Sequence, residues 1–584
     1  MVENLSDQAR LAAIAVNQAG RMARRIALRT PLSRWVAGVP TAYHLLILPQ
    51  DLRTGDPSFA VELYDGYFGL AGAVAPTGSE SPFSIQPPTP AWQRELYAFS
   101  WLRHLHAADD EIARERARKL TRDWIALGRR GPAIAHDVDV TARRVIALLS
   151  HATFLLDGAD PEFYDDVMRM LSRDTHDLTV IYGEVGHSVA ALRALTAVLL
   201  AGLCVAEQQA YLTMYQKAFC AELDRQILAD GGHVSRDPSA LIELLLELFP
   251  LKQCFVARQL EPPPALYAAL GRMLPMMRFL RLGDGGVARF NGMGPTPLDQ
   301  IATVLAYDDA GLMFAEAFAP TSGYMRLARG GTVVMADAGT PPPLAASARA
   351  TAGCASFEMS VGYEPLIVNC GAPADDSSDW YVVSRSTAAH STLTIDDLSS
   401  SRLIKAQPAM PGGRDVYLLS APREVRADIQ TSAEGALVAA VAHDGYRDRF
   451  SLIHKRRLTL SASGLELDGE DQLAPTSSSA QTNAGRASYA IRFHLHPRVN
   501  ATLARNSNSV ILTTPSGQAW RFSAAAPDID VEESIYFADP ICLRRSLQIV
   551  LKGPCRPDLA VKWKIARDAS SRRDDVIEEP VLLR

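Results

Sequence analysis

The first half of the chain carries apolar residues at helical spacing. Between Val189 and Leu203 they recur every three or four positions, as on the buried face of an α-helix. The same spacing predicts about eight helices in some 200 residues, beginning at Trp92 and Val138 and covering 114–127, 160–180, 187–207, 210–229, 239–257 and 263–280. Strands are not evident before residue 285. The pattern is therefore typical of a helical array or toroid.

The pattern of the second half is different. Beyond residue 320, short segments such as GTVVMADAG, FEMSVG, HKRRLTLS and SVILTT alternate apolar and polar residues between Gly, Ser, Asn or Pro. Such alternation is typical of half-buried antiparallel strands. A run of helices followed by a run of strands predicts separate α and β domains, and we interpret the second as a β-sandwich. The predicted division is an extension at 1–60, an (α/α) toroid at 61–300 and an antiparallel β-sandwich at 301–584.

The composition of the chain argues against several classes of protein, among them nucleic-acid-binding and membrane-spanning proteins. With 584 residues, 48% of them hydrophobic and 21% charged, the chain is typical of a globular protein of several domains. A net charge of −6 argues against a nucleic-acid partner. Seven cysteines without a CxxC pair indicate reduced thiols. The apolar run at 192–206 contains Arg193, so we expect no transmembrane segment. No signal peptide is evident, so we expect a cytoplasmic protein, with periplasmic location or export by an unrecognised route as the alternative.

The N-terminal 30 residues form a separate feature. Arg21, Arg24, Arg25 and Arg29 give this segment the pattern of a basic amphipathic helix. Such a helix binds a membrane surface or a partner, or it is a solvated terminal helix. The sequence leaves both interpretations open.

Candidate chemistry concentrates around a polar break between two helical segments. His187 begins the first segment, and His233 and Arg236 lie in the break ADGGHVSRDP at 229–238. Arg binds carboxylates in a bidentate manner, and His transfers protons near neutral pH. A His- and Arg-rich set at helix ends therefore favours an anionic substrate. A nucleotide-binding P-loop, an HExxH zinc motif and a GxSxG nucleophile motif are all absent from the sequence.

Four segments of the sequence carry a resemblance to a known family. DGGHVSRDP, RSTAAHSTL and HDGY, together with ELYAFSWLRHL, resemble segments of the heparinase II/III family of polysaccharide lyases, roughly from Tyr64 to Leu458. Members of this family pair a helical toroid with a C-terminal β-sandwich. They cleave uronic-acid-containing polysaccharides, such as glycosaminoglycans, by β-elimination. The resemblance implies an anionic polysaccharide or oligosaccharide as the partner of this protein.

The resemblance also implies roles for individual residues. In the family, one group neutralises the uronate carboxylate while others exchange protons at C5 and at the leaving oxygen. The matching catalytic candidates are His187, His233, Arg236 and His390. The candidates for binding substrate are Arg143 or Arg144, Arg385, Trp92 and Tyr67.

A metal site is the last implication of the resemblance. The elimination itself requires no cofactor, but some family members hold zinc in the sandwich, and His390 and His443 are the matching residues. Two His ligands alone do not complete a zinc site. The expectation of a structural zinc or another divalent cation in the sandwich therefore rests on the resemblance alone.

The sequence departs from the family pattern at two positions. Gly186 stands where the family has Asn, and the Ser239-Ala240-Leu241 segment lacks the usual Tyr. Ser cannot replace Tyr as a base without activation. Three functions therefore stay open: a lyase, a non-catalytic anionic-glycan-binding or regulatory protein on a degenerate lyase scaffold, and, less favoured, a hydrolase. A hydrolase needs a carboxylate pair, and none stands out in the helical half.

Overall fold

Helices fill the N-terminal half of the protein. The computed structural model describes residues 8–9, 11–12, 14–16, 19–20, 43–307, 311, 316–373, 379–406, 416–476, 487–504, 509–525, 528–556 and 558–568. The helices of the first half are α1 Ser58–Tyr64, α2 Pro90–Tyr97, α3 Trp101–Ala108, α4 Glu111–Leu127, α5 Val138–Ser150, α6 Ala152–Leu156, α7 Pro161–Ile181, α8 Val189–Cys204, α9 Ala210–Gln226, α10 Pro238–Ala257, α11 Pro264–Phe279 and α12 Leu298–Ala306. A hairpin of β1 (Tyr67–Leu70) and β2 (Ala73–Pro76) lies between α1 and α2.

Antiparallel strands dominate the C-terminal half. They are β3 Phe318–Ala319, β4 Tyr324–Arg329, β5 Thr332–Asp337, β6 Phe357–Val361, β7 Glu364–Val368, β8 Leu393–Ile395, β9 Leu403–Ala406, β10 Val416–Leu419, β11 Val425–Thr431, β12 Leu437–His443, β13 Leu452–Leu460, β14 Glu466–Pro475, β15 Ser488–Leu495, β16 Asn500–Leu503, β17 Ser509–Thr513, β18 Ala519–Ala524, β19 Asp528–Tyr536, β20 Arg544–Pro554 and β21 Leu559–Arg567. Two short helices, α13 Asp379–Ser384 and α14 Arg447–Phe450, interrupt them.

Two large sheets make the sandwich. One has nine strands in the order β19-β20-β15-β7-β6-β5-β4-β3, with β8 also paired to β15, and the other has eight in the order β11-β12-β13-β14-β21-β18-β17-β16. Side chains between the sheets, such as Phe357, Phe493 and Trp563, form one apolar core. The core of the helical half also includes Tyr324 and Met335 from the nine-stranded sheet. The helices therefore pack directly against one face of the sandwich.

Three helices begin at the junction of the two halves, and their caps are visible in the sequence. Asp137, Ser188 and Asp237 accept hydrogen bonds from the first-turn amides of α5, α8 and α10. Such short polar side chains satisfy the otherwise unpaired N–H groups of a helix start. Pro238 occupies the first turn of α10, where its missing N–H costs nothing. The caps fix where each helix begins and therefore which side chains face the junction.

The α-then-β architecture predicted from the sequence is confirmed, with local corrections. The single helix predicted from Trp92 is wrong, because Phe99 adopts a left-handed backbone with φ of 60° and separates α2 from α3. No strand is evident in the sequence before residue 285, but the segment 43–90 contains the β1–β2 hairpin as well as α1. The basic residues at 21–29 lie outside the described residues. None of the helices in the described part of the chain has the length and apolar character needed to cross a bilayer.

Candidate functional site

A cleft of about 560 Å³ lies between the helical half and the sandwich. The starts of α5, α8 and α10 form one wall, and loops of the β half form the other. The charged and imidazole side chains that line it are Asp139, Arg143, His187, Arg193, His233, Asp237, Glu243 and Arg349. The structure therefore brings together three of the sequence candidates, His187, His233 and Arg143.

His187 is the most accessible of these candidates. Its side chain is 60% exposed, and Nδ1 lies 2.8 Å from Oε1 of Glu222 on α9. Arg225 donates to the same carboxylate oxygen. A carboxylate on Nδ1 fixes the orientation of an imidazole and leaves the other ring nitrogen to face a ligand. His187 therefore has the arrangement of a proton acceptor at the cleft wall.

His233 has no ring nitrogen available for a ligand. The Ser235 backbone N–H lies 3.1 Å from Nδ1, and the Ser235 hydroxyl lies 2.7 Å from it. The amide nitrogen of Gln226 donates to the Ser188 carbonyl and to Glu222, which leaves its oxygen to accept from Nε2 of His233 at 3.1 Å. The ring is therefore neutral with its proton on Nε2. Burial lowers the pKa of His233 to about 4, which agrees with a neutral ring at physiological pH.

The arginines of the cleft are already neutralised by carboxylates. Arg143 binds both oxygens of Glu95 at 2.7 and 2.6 Å, which helps to lower the pKa of that carboxyl to about 2. Arg193 donates to Asp139, to Glu243 at 2.9 Å and to Glu247 at 2.7 Å. These carboxylates raise the pKa of both guanidinium groups despite their burial. A substrate carboxylate would have to compete with the bidentate Arg143–Glu95 pair and with the three carboxylates that contact Arg193.

Contacts across the junction hold the cleft together. Arg349 of the β half donates to Asp237 at 2.8 Å and to the Gly292 carbonyl at 2.6 Å. Asp230 accepts the Ser322 hydroxyl at 2.7 Å and the Ser322 amide at 2.6 Å. Gly232 is needed beside them, because a Cβ there would lie 1.8 Å from the Ser322 hydroxyl. The DGGH motif thus brings the α9–α10 loop against the sandwich.

Arg236 is buried at this junction and does not line the cleft. It donates to the backbone carbonyls of Ser322, Gly323, Gly339 and Thr340 and to the Asp337 carboxylate. The aromatic ring of Tyr324 lies 4.9 Å from the guanidinium carbon. Each guanidinium nitrogen of Arg236 therefore has an acceptor in the β half. The residue that the motif suggested for catalysis forms an interdomain contact instead.

Four other sequence candidates, Arg144, Arg385, Trp92 and Tyr67, also lie outside the lining of the cleft. Arg144 pairs with Asp174 at 2.7 Å inside the helical core. Arg385 is buried and donates to three backbone carbonyls of the β half. The Trp92 ring is fully buried and donates to the Phe68 carbonyl at 2.9 Å. Tyr67 is half exposed on the β1–β2 hairpin. Adjacent helical residues such as Arg143 and Arg144 cannot both face one cleft.

The two histidines suggested for a metal make separate hydrogen bonds. Nδ1 of His390 lies 2.7 Å from the Ser386 carbonyl, whereas Nε2 of His443 lies 3.0 Å from His454. His454 in turn contacts Asp471 at 2.7 Å. Across the described ranges, no three His, Cys, Asp or Glu side chains lie close enough to hold a metal ion. The donor set expected for zinc is therefore not assembled among them.

Sequence reasoning did not identify the acidic side of the cleft. Arg193 lies in an otherwise apolar helix, and a buried cation requires nearby carboxylates. That rule could have indicated its partners Asp139, Glu243 and Glu247. The rule does not identify the individual carboxylates, because they lie 50 to 54 positions away from Arg193 along the chain and meet it only through helix packing.

Acid should destabilise the protein through its buried neutral histidines. Burial lowers the pKa of His233, His390 and His494 to about 4, 4 and 3. Unfolded His titrates near 6.5, so below that pH the unfolded state binds more protons. The stabilisation is complete above pH 6.5 and is lost as the pH falls towards 4, by up to about 1.4 kcal/mol per pH unit for each group. Urea unfolding at a series of pH values measures this slope, and His233→Gln should reduce it by about one proton. An unchanged free energy of unfolding between neutral pH and pH 5 would contradict the prediction.

Comparisons with known proteins agree with this architecture. The family model "Heparinase II/III-like, C-terminal" matches residues 314–564. A structure of heparinase III superposes with a TM-score of 0.69 at 13% identity, covering 91% of this chain and 88% of the other. A mutant of heparan sulfate lyase HepC from Pedobacter heparinus gives 0.60 at 15% identity, covering 96% and 88%. At these identities the superpositions show a shared fold.

A curated relative is closer in sequence. "FtsZ-localized protein C" of Caulobacter vibrioides (strain NA1000 / CB15N) is 32% identical over 538 residues, covering 91% of each chain. The similarity therefore includes both the helical half and the sandwich. With the family model, the superpositions and this relative in agreement, the chain belongs to the heparinase II/III-like family.

Proposed function

We propose that this protein is a non-catalytic member of its family that localises with FtsZ, and that its interdomain cleft is the remnant of a lyase site. The sequence similarity to FtsZ-localized protein C over 91% of both chains supports the FtsZ part of the proposal. The observation that carries the non-catalytic part is the neutralisation of the cleft arginines by carboxylates of the same chain.

The electrostatics of the cleft disfavour β-elimination. The C5 proton of a uronate becomes acidic only when the substrate carboxylate is neutralised. Arg143 and Arg193 have their carboxylate partners already, and Glu243 remains ionised because nearby arginines lower its pKa to about 2. An incoming uronate would therefore meet carboxylates as well as guanidinium groups. Such a surface offers little net attraction for an anion.

Two groups that the family resemblance implies, an Asn and a Tyr, are also missing from the described lining of the cleft. Among its described lining residues there is no Tyr, Asn or Lys. Gly186 replaces the Asn that the resemblance implies, and both ring nitrogens of His233 already have partners. A general base must lie within hydrogen-bond reach of the proton with a free lone pair. His233 does not meet that requirement in this arrangement.

His187 favours a second candidate, an active lyase of a uronic-acid-containing oligosaccharide. Its imidazole is exposed to the cleft and oriented by Glu222. A His–carboxylate pair of this kind can act as a general base. In that case His187 would abstract the proton, and Arg349, whose side chain is 53% exposed, would contact the substrate carboxylate.

One experiment separates the two candidates. The purified protein is incubated with heparan sulfate, chondroitin, hyaluronan and alginate fragments, and the ultraviolet absorbance of the unsaturated uronate product is followed. In parallel, the protein is sedimented with polymerised FtsZ. We expect an absorbance no higher than that of the protein-free control, together with recovery of the protein in the FtsZ pellet.

If the absorbance does rise, the variant His187→Ala tests whether the cleft is responsible for it. If the absorbance rises with the natural protein and the rise disappears in His187→Ala, the lyase candidate replaces the non-catalytic one. His44→Ala is the matched control, because His44 is also exposed and paired with a glutamate but lies outside the cleft. Absence of the natural protein from the FtsZ pellet would contradict the proposed localisation.

A further inference from the structure

A second cavity, of about 450 Å³, lies in the helical half. Its walls are the β1–β2 hairpin and the junction of α2 with α3. The polar side chains that line it are Glu95, Ser100, Arg103 and His104. It shares no lining residue with the interdomain cleft. Its volume is within the range of cavities that bind small molecules.

Arg103 is incompletely neutralised compared with the arginines around it. Arg53, Arg143 and Arg193 each have a carboxylate oxygen within 2.8 Å. The ion-pair contact of Arg103 is 3.4 Å long, from Nε to Asp51, and Asp51 also contacts Arg53. Burial and the neighbouring arginines lower the pKa of Arg103, whereas the pKa of each of the other three is raised. A buried cation with so little compensation favours an anion beside it.

The hydrogen-bond donors of Arg103 are unused within the described part of the chain. Its Nε is buried there without a hydrogen-bond partner, and its Nη atoms donate to no described residue. His104 adds another donor, because its Nδ1 accepts the Asp56 amide at 2.9 Å and its proton is therefore on Nε2. Burial keeps this ring neutral by lowering its pKa to about 4. Arg103 and His104 thus present donors at a cavity wall.

The one carboxylate in this wall does not compete for those donors. Both oxygens of Glu95 bind Arg143, at 2.7 and 2.6 Å. The pair leaves no net charge at that position. The remaining positive charge at the cavity is that of Arg103.

The hairpin residues that line the cavity, 69–74, are apolar. Val74 lines it and is 57% exposed. Tyr67 is 50% exposed and lies on the same face of β1 as the lining residue Gly69, since side chains alternate along a strand. An exposed aromatic ring beside a cationic cavity offers contact area to a flat molecule that carries an acid group.

We propose that this cavity binds a small carboxylate anion, with the carboxylate held by Arg103 and His104 and the body of the molecule against Tyr67 and Val74. The geometry favours a single negative charge, because Arg103 is the one cationic side chain among the described residues that line the cavity. The proposal does not depend on the function of the interdomain cleft.

Calorimetric titration of the full chain tests the proposal. The probes are glucuronate, a sugar acid, and benzoate, an apolar acid, with glucose and benzyl alcohol as neutral counterparts. We expect saturable binding of at least one acid and no binding of the neutral molecules. Binding of glucuronate alone identifies a sugar acid as the ligand type, and binding of benzoate alone identifies an apolar acid. Arg103→Gln should weaken the binding at least about 10-fold, the effect of losing a charged hydrogen-bond partner.

A second variant keeps the test valid if Arg103→Gln does not fold. Val74→Trp should block the cavity without touching an ion pair and should abolish binding. Val61→Trp is the matched control, because Val61 is equally exposed on α1 and does not line the cavity. Failure of both acids to bind the natural protein would overturn the proposal. So would acid binding that Val74→Trp leaves unchanged.

Discussion

Replacing Arg236 with methionine should lower the free energy of unfolding by about 3–5 kcal/mol, the cost of removing one partner of a buried ion pair. Methionine keeps most of the volume of the side chain, so the loss comes from charge and hydrogen bonds. Asp337 would keep the Gly339 amide at 3.2 Å and Asn291 at 3.3 Å, and four backbone carbonyls would each lose the hydrogen bond from Arg236. Guanidinium unfolding followed by circular dichroism and tryptophan fluorescence measures the effect.

The location of Arg236 adds a second expectation. The α9–α10 loop and the sandwich meet through this residue, so its loss should separate the unfolding of the two halves into distinct transitions. Arg169→Met is the control, because Arg169 is 67% exposed and pairs with Asp166 one turn away on the surface. The control should change stability by less than about 0.5 kcal/mol. A comparably small change in Arg236→Met would show that the interdomain ion pair does not hold the two halves together.

Replacing Asp471 with asparagine should destabilise the sandwich by a similar amount, about 3–5 kcal/mol. The Asp471 carboxylate contacts His454 Nε2 at 2.7 Å and accepts from Arg456 at 2.8 and 3.0 Å and from Trp563 Nε1 at 2.9 Å. All four side chains are buried in the sandwich. The variant leaves the Arg456 guanidinium without its carboxylate. Because the Trp563 indole donates to this group, its fluorescence should report the change.

The pH dependence of Asp471 has a defined sign. Arg456 and His454 hold the pKa of its carboxyl far below the usual range despite burial. The ionised form therefore stabilises the fold at every pH above the unfolded pKa of about 3.9, and this contribution is lost as the pH falls further. Asp471→Asn should remove that acid dependence. Asp468→Asn on the same strand is the matched control, since Asp468 is 52% exposed and pairs with surface Lys564. Equal effects of the two variants would contradict a special role for Asp471.

The sandwich illustrates how much of the fold the alternation of residues predicts. Along β13, side chains at every second position are buried, among them Leu452, His454 and Arg456. The two-residue period therefore indicates that a His and an Arg point into the core. The identity of their partner follows only from strand register, which places Arg456 opposite Asp471. Asp471 lies beyond Leu458, outside the part of the chain that carries the family resemblance.

In the helical half, too, the sequence pattern predicted the elements, whereas the packing of those elements decided the contacts of individual side chains. Helical periodicity indicated α5, α8 and α10, and the motif around His233 marked the α9–α10 loop. The same motif suggested that Arg236 acts on a substrate. In the folded protein the guanidinium of Arg236 instead donates to Ser322 and Asp337 of the β half. These acceptors lie 86 and 101 positions away along the chain, so the local motif does not reveal them.

The sequence by itself indicated the order and type of most elements, the family, and His187, His233 and either Arg143 or Arg144 as candidates for the cleft. These features depend on local spacing and on motifs, which a linear pattern retains. Only the tertiary structure decided that Glu95 neutralises Arg143 and that Ser235 and Gln226 hydrogen-bond the two ring nitrogens of His233. It also decided that Arg103 has one long ion-pair contact, with Asp51. The chemistry of a buried charge depends on every group within a few ångströms, and folding brings those groups together from distant positions in the chain.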